Sequence, residues 1–199
     1  MLTNNFDVFA SRAMQKFTKY NLYNAPQASL EQLESAKEKF GFLPNLLGYM
    51  AESPTLLNSY VYMAEQVAKT QMTPTEQQIV MMTINRYHEC RYCMAGHSKL
   101  AEGQDIDMNV INAIRDDKPL GNTKYAALRS FTLKLVEQRG VVSQTLVNAF
   151  YNAGYTQQNV LDITAMIAFK VMSNYTNHIV GTELDGLSIS KRWSPVNER

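Results

Sequence analysis

Two cysteines and a histidine are the residues of this sequence whose types and spacing suit chemistry best. Cys90, Cys93 and His97 lie in the run CRYCMAGH at positions 90–97, separated by three and four positions. In a helix, these steps place the three side chains on one face, one turn above another. Two neighbouring thiols can form a dithiol/disulfide couple, and an imidazole one turn away can accept or return a proton.

The predicted position of Cys90 at the start of a helix favours reactivity. Free backbone N–H groups and the positive end of the helix dipole stabilise a thiolate there, which lowers a cysteine pKa from its ordinary value of about 8.5. The chain has only these 2 cysteines in 199 residues. A bond between them would close too short a loop to add much stability. We therefore expect a reactive pair rather than a structural cross-link.

The elements that must position these residues are predicted to be helices. Strand patterns are nearly absent, whereas capping signals recur along the chain. The run Thr73-Pro-Thr-Glu76 combines an N-cap, a proline at the first helical position and a capping-box glutamate. It predicts a helix that ends near His88, followed by one from Cys90 to a stop at Gly103. The expected fold is an all-α domain of about nine helices.

The predicted domain covers residues 29–187, between an N-terminal arm (1–28) and a loose tail (188–199). We expect the arm to pack on a neighbouring subunit. The segments 78–87 and 161–172 are apolar on more than one helical face, which is typical of helices buried in a core or in a subunit interface. A homo-oligomer is therefore expected.

Charge and hydropathy exclude several classes of partner. The chain has 19 Lys+Arg against 18 Asp+Glu, and its basic residues form no stripe, so nucleic-acid binding is not expected. No apolar run reaches the ~20 residues that a membrane span needs, and the N-terminus lacks the apolar core of a secretory signal. We expect a soluble cytoplasmic protein with no cofactor and no bound metal.

The segment 73–102 resembles the core of the alkyl hydroperoxidase D (AhpD)-like, carboxymuconolactone decarboxylase superfamily. That core has a helix with a polar cap, a C-x-x-C at the start of the next helix, and a histidine four positions after the second cysteine. The resemblance extends more weakly over residues 42–185, where FLPN (42–45), NH (177–178) and TELD (182–185) are similar to its peroxidase-related branch. It implies an all-α fold and a homo-oligomer, whether dimer, trimer or hexamer.

The resemblance also implies a cysteine-based antioxidant peroxidase that acts on small hydroperoxides. In such proteins the second cysteine, here Cys93, attacks the peroxide and becomes a sulfenic acid. The first cysteine, here Cys90, supplies a proton and condenses with it to a disulfide. The histidine, here His97, shuttles the proton, and an external dithiol reduces the disulfide.

The sequence departs from this pattern at the glutamate that peroxidase members carry twelve positions before the first cysteine. Counting back from Cys90 gives Gln78. A glutamine accepts no proton at neutral pH, although it can orient a proton carrier by hydrogen bonding. The departure predicts a weaker proton relay, or one that passes through His88, Glu89 or His178.

Two other interpretations are open. A lactone decarboxylase-like enzyme on the same scaffold would not need two thiols. A redox-sensing, zinc-binding or purely structural oligomer is the other, and Cys90, Cys93, His97 and His88 have ligand types that suit tetrahedral zinc, with His178 as a remote candidate.

Overall fold

The computed structural model of the chain describes residues 16–104, 106–195 and 198, and their regular structure is entirely helical. This confirms the predicted all-α class. The helices are α1 (Gln27–Phe40), α2 (Asn45–Met50), α3 (Pro54–Val67), α4 (Pro74–Tyr87), α5 (Arg91–Gly103), α6 (Met108–Arg115), α7 (Thr123–Glu137), α8 (Gln144–Asn152) and α9 (Gln157–Val180), followed by a 3-10 helix (Gly186–Lys191). No helix in the described ranges combines the length and apolar character needed to cross a bilayer.

The starts of α4 and α5 follow the capping signals of the sequence. At α4, Thr73 accepts a hydrogen bond from the Glu76 N–H, and the Glu76 carboxylate accepts one from the Thr73 N–H at 2.9 Å. At α5, the cap is Cys90, whose Sγ accepts a hydrogen bond from the Cys93 N–H at 3.4 Å. A thiol therefore takes the place that a serine or aspartate usually holds at a helix start.

Helix α4 lies at the centre of the domain and packs against α5, α6, α7 and α9. Its side chains Ile79, Val80, Met82 and Ile84 are completely buried. A helix that is apolar on most sides must be surrounded, and this burial carries Gln78 into the interior beside α5.

Besides the core around α4, an apolar cluster formed by α1, α2 and α3 covers the start of α5. Two hydrogen bonds fix its position. The Tyr92 hydroxyl donates to Asp185 Oδ2 at 2.5 Å, and the Asn45 N–H, at the start of α2, donates to Asp185 Oδ1 at 2.8 Å. The Asp185 carboxylate thus connects the start of α2 to the start of α5.

Residues 188–195, which fall in the predicted loose tail, contact the core of the domain. Trp193 is 3% exposed, and its indole N–H donates to the Arg115 carbonyl at 2.9 Å. The Arg115 guanidinium in turn donates to the carbonyls of Lys191 and Arg192. One large aromatic side chain and several hydrogen bonds hold this segment to the core, and the segment has no periodicity by which sequence analysis would find these contacts.

The predicted N-terminal arm lies partly outside the described residues, which begin at Lys16. Its later part contacts α2 of the same chain, where the Tyr20 N–H donates to the Gly48 carbonyl at 3.0 Å. A Cβ at Gly48 would lie 2.7 Å from the Tyr20 oxygen, so this close approach requires glycine. That the arm (1–28) packs on a neighbouring subunit stays a prediction.

Candidate redox site

The two cysteines are buried, unpaired thiols between α5 and α9. Cys90 is 0% and Cys93 is 4% exposed. The side-chain amide of Asn177, on α9, lies between them, with its nitrogen 3.2 Å from Cys93 Sγ and 3.6 Å from Cys90 Sγ. An amide N–H that faces two sulfur atoms favours a negative charge on one of them.

The surroundings give the two thiols opposite acidities. Burial raises the pKa of Cys93, but a hydrogen bond from Cys90, the charge of Lys170 and hydrogen bonds from Asn174 and Ser173 outweigh it and lower that pKa to about 6. The hydrogen bond to Cys93 and burial raise the pKa of Cys90 far above its ordinary value. These opposite shifts favour a thiolate on Cys93 beside a neutral thiol on Cys90.

His97 is held through both of its ring nitrogens. Its Nδ1 lies 2.9 Å from Gln78 Oε1, and its Nε2 lies 2.9 Å from Lys170 Nζ. A protonated amine has donors only, so Nε2 accepts from Lys170 and the proton sits on Nδ1, which donates to Gln78. Burial, and then the charge of Lys170, lower the pKa of His97 well below 6.5. The ring is thus a neutral, oriented hydrogen-bond acceptor.

Lys170 is a side chain of the candidate site that sequence reasoning missed. It is 1% exposed on α9, and among the described residues no carboxylate lies within ion-pair distance of it. Burying an ammonium without a counter-charge is costly. The signal was a lone lysine in the apolar run ITAMIAFKVM at positions 163–172, which was interpreted only as a buried helix.

A cavity of about 400 Å³ opens on Cys93 and His97, and we call it the front cavity. A second cavity of about 500 Å³ shares His97 and Tyr60 with it and extends towards α1 and α3. The front cavity is lined mainly by apolar and aromatic side chains: Phe40, Phe42, Pro44, Leu46, Leu47, Tyr60, Tyr92, Leu100 and Leu187. Such a lining suits an apolar molecule that presents one polar end to the thiolate.

The structure places Gln78 in contact with His97, which lines one cavity with Cys93, whereas His88 contacts neither thiol directly and His178 lines a separate cavity with Cys90. The Nδ1 of His88 lies 2.9 Å from Asn174 Oδ1, so His88 reaches Cys93 only through that amide. His178 is exposed near the end of α9.

The described residues offer no ligand cluster for the zinc site considered above. Within the described part of the chain, no three His, Cys, Asp or Glu side chains are grouped so that they could hold a metal ion. Both nitrogens of His97 are occupied, by Gln78 and Lys170, and cannot also face a metal at the thiols.

Comparisons with known proteins identify solved structures that have a similar fold. No protein-family model matches the sequence, and no curated protein matches it. Among solved structures, the chain is similar to an uncharacterized peroxidase-related protein from Ralstonia eutropha with an alkylhydroperoxidase AhpD core (TM-score 0.77, 19% identity, covering 90% of this chain and 99% of that one). A peroxidase-related protein from Silicibacter sp. TM1040 gives a TM-score of 0.73 at 16% identity, covering 89% and 97%.

A third structure carries a different activity in its name. It is a cysteine-to-alanine variant of the debrominase Bmp8 in complex with 2,3,4-tribromopyrrole (TM-score 0.71, 18% identity, covering 89% of this chain and 95% of that one). Identities this low establish architecture and leave activity open. The chain therefore has the AhpD-like fold.

Proposed function

We propose that the protein is a thiol peroxidase that reduces hydroperoxides through Cys93 and Cys90. The observation that carries the proposal is a pair of adjacent buried thiols that share the Asn177 amide, of which Cys93 opens on an apolar cavity. A thiolate is the nucleophilic form of cysteine, and a neighbouring neutral thiol is suited to act as the resolving partner.

In the proposed reaction, the Cys93 thiolate attacks one peroxide oxygen and the O–O bond breaks. The sulfur becomes a sulfenic acid, and the alkoxide leaves with a proton from the Lys170–His97 pair. Cys90 then attacks the Cys93 sulfur, the S–S bond forms and water leaves with the Cys90 proton. Two thiols and one hydroperoxide thus give one disulfide, one alcohol and one water.

The neighbouring side chains have separate proposed roles. Lys170 and Asn177 stabilise the thiolate, and Lys170 and His97 hold the proton that the alkoxide needs. Gln78 fixes the His97 ring by accepting its Nδ1 proton, and takes no part in proton transfer itself.

The direct test is a thiol titration before and after one equivalent of cumene hydroperoxide, with mass spectrometry of the peptide that contains Cys90 and Cys93. We expect both thiols to disappear together and the peptide to lose two hydrogens. In the Cys90→Ser variant, dimedone should trap a sulfenic acid on Cys93, and the Cys93→Ser variant should not react. Persistence of both thiols in the wild-type protein would contradict the proposal.

Reductive dehalogenation of an aromatic halide is a second candidate. The aromatic lining of the front cavity beside a thiolate favours it, together with the fold shared with a debrominase. Two thiols and one C–Br bond would give one disulfide, one C–H bond, bromide and a proton. Release of bromide from 2,3,4-tribromopyrrole by the reduced protein, and its absence with Cys93→Ser, would support this activity.

The expected homo-oligomer stays a prediction. Leu161, Tyr175 and Ile179 are exposed along one face of α9, by 70%, 51% and 51%. Exposed apolar side chains aligned on one helix are typical of an interface. A monomer by light scattering at micromolar concentration would contradict it.

A further inference from the structure

A separate, smaller cavity reaches the dithiol at Cys90. It measures about 280 Å³ and lies between the α4–α5 connection and the end of α9, and we call it the rear cavity. Cys90 lines the rear cavity and Cys93 lines the front cavity, and among the described lining residues only Tyr92 is common to both walls. The two cysteines of the pair thus border different cavities.

The rear cavity differs from the front cavity in chemistry. Its wall carries the charged or titratable side chains Glu89, Arg91 and His178 and the polar side chains of Asn177 and Thr182. Arg91 forms an ion pair with Glu198. This lining suits a polar molecule rather than an apolar hydroperoxide.

Two buried polar atoms of this wall have no hydrogen-bond partner among the described residues. They are Asn177 Oδ1 and Thr182 Oγ1, and Asn177 is 5% exposed. A buried polar atom without a partner costs about 1–3 kcal/mol, so such atoms call for an explanation. A ligand with hydroxyl, amide or thiol hydrogens would satisfy the Asn177 oxygen at the position beside Cys90.

We propose that a small polar dithiol enters the rear cavity and attacks Cys90 of the oxidised pair, with His178 as the base that accepts its proton. This inference rests on the proposed dithiol/disulfide cycle and assigns its reductive half to a second opening. Oxidant and reductant then reach opposite sulfur atoms by different routes.

The direction of attack agrees with the acidities of the two thiols. In thiol–disulfide exchange, the sulfur with the lower pKa is the better leaving group. Cys93, whose pKa is lowered to about 6, leaves readily as a thiolate opposite Lys170 and Asn177. Attack on Cys90 is therefore the productive one, and Cys90 is the cysteine in the wall of the rear cavity.

His178 is suited to the role of base. Partial burial of its ring and the nearby His88 lower its pKa from 6.5, against a raising hydrogen bond and charge from Glu89, which favours the neutral imidazole that a base requires. It is exposed and lines the cavity, so that an incoming thiol can reach it. The other histidine nearby, His88, has its Nδ1 directed to Asn174.

The atoms balance over two exchanges. The first thiol of the dithiol loses its proton to His178, its sulfur bonds to Cys90, and the Cys90–Cys93 bond breaks with the electron pair on Cys93. The second thiol then attacks the ligand's own sulfur in the mixed disulfide. Cys90 leaves with a proton, and the dithiol departs as a cyclic disulfide.

The first experiment forms the protein disulfide with diamide, so that it does not depend on peroxide, and measures its reduction by dithiothreitol. Thr182→Trp fills the rear cavity, and Gly96→Leu fills the front cavity, where a Cβ meets nothing within 4 Å. We expect Thr182→Trp to slow reduction at least tenfold and to leave oxidation by cumene hydroperoxide within twofold. Gly96→Leu should slow oxidation by cumene hydroperoxide at least tenfold and leave reduction by dithiothreitol within twofold.

The second experiment separates the base from the opening and does not depend on a bulky variant. Tris(hydroxypropyl)phosphine reduces disulfides without any S–H proton to remove. We expect His178→Gln to slow reduction by dithiothreitol about tenfold at pH 7 and to leave reduction by the phosphine unchanged, with Tyr175→Phe on the same helix as control.

The outcomes separate this inference from the proposed function. If cumene hydroperoxide forms no disulfide, the peroxidase proposal fails while the diamide-made disulfide still tests the opening. If that disulfide is reduced by dithiothreitol at the wild-type rate in both Thr182→Trp and His178→Gln, the rear cavity is not the entrance and the inference is overturned.

Discussion

Two charged side chains are buried among the residues that the structure describes, and their surroundings differ. Glu76 is 5% and Lys170 is 1% exposed. The carboxylate of Glu76 accepts hydrogen bonds from the N–H and hydroxyl of Thr73 and from the Tyr155 hydroxyl, and it pairs with Lys124 at 2.9 Å. Hydrogen bonds and an ion pair within the fold therefore compensate the burial of this carboxylate.

Lys170 instead has a single side-chain hydrogen-bond partner among the described residues, the neutral ring of His97. Its positive charge lowers the pKa of Cys93. A buried charge with a full set of partners, such as Glu76, stabilises a helix start. A buried charge without a carboxylate partner, such as Lys170, can stabilise a negative charge that forms during a reaction. In the proposed mechanism that charge is the Cys93 thiolate.

Replacement of Lys170 should have the largest effect on reactivity. Lys170→Met removes the positive charge and keeps an apolar stem of similar length. If the Cys93 pKa returns to an ordinary value of about 8.5, the thiolate fraction at pH 7 falls about 30-fold, and the rate of reaction with cumene hydroperoxide falls with it. Stopped-flow kinetics and thiolate absorbance near 240 nm measure both quantities.

The matched control is Lys124→Met, which removes the partner of Glu76 and should leave the rate unchanged. Equal rates in the wild type and Lys170→Met would show that Lys170 does not activate the thiol. A folded Lys170→Met protein is established by its far-UV circular dichroism before the kinetics are compared.

The pH dependence of the wild-type reaction sharpens the same point. Because the thiolate reacts and the pKa of Cys93 is lowered to about 6, the rate should rise with pH through a midpoint near 6 and level off above pH 7. Between pH 7 and pH 5 the thiolate fraction falls about tenfold. A midpoint near 8.5 would place Cys93 among ordinary cysteines.

Glu76 should affect stability and not reactivity. Its pKa is lowered because hydrogen bonds from Lys124, Thr73 and Tyr155 outweigh the effect of burial. A lowered carboxyl pKa contributes stability above the unfolded-state pKa, and this contribution is lost as pH falls through the folded-state value. Glu76→Gln should therefore cost about 1–3 kcal/mol in urea unfolding at pH 7 and less at pH 3. An unchanged midpoint in urea at pH 7 would contradict this role.

The sequence predicts different roles for Glu76 and Gln78, although they are only two positions apart. The capping box explains Glu76 by local spacing alone, and the structure has that box. Helical periodicity likewise places Cys90, Cys93 and His97 on one face, because all three lie within eight consecutive positions. Local rules suffice wherever the partners are neighbours along the chain.

Lys170 and Trp193 were not predicted because their partners are distant in sequence. Lys170 contacts His97 across 73 positions, and Trp193 contacts Arg115 across 78. No periodic pattern indicates which buried lysine meets which imidazole, or that one indole will hold an irregular segment to the core. Packing of α9 against α5, which only the folded chain shows, brings Lys170 to His97, and packing of the 3-10 helix against α5 brings the segment with Trp193 to the core.

Gln78→Glu should have the smallest effect on the rate and the clearest effect on His97. In the wild type, burial and Lys170 keep the ring neutral, and Gln78 only accepts its Nδ1 proton. A carboxylate at this position would stabilise the imidazolium and would also give Lys170 a negative neighbour. We therefore expect His97 to titrate between pH 5 and 8 by NMR in Gln78→Glu, to stay neutral in the wild type, and the midpoint of the rate profile to move up by less than one pH unit. Gln78→Met keeps the size without the acceptor, so a His97 titration in that variant would show that loss of the hydrogen bond, rather than the new charge, changes the ring.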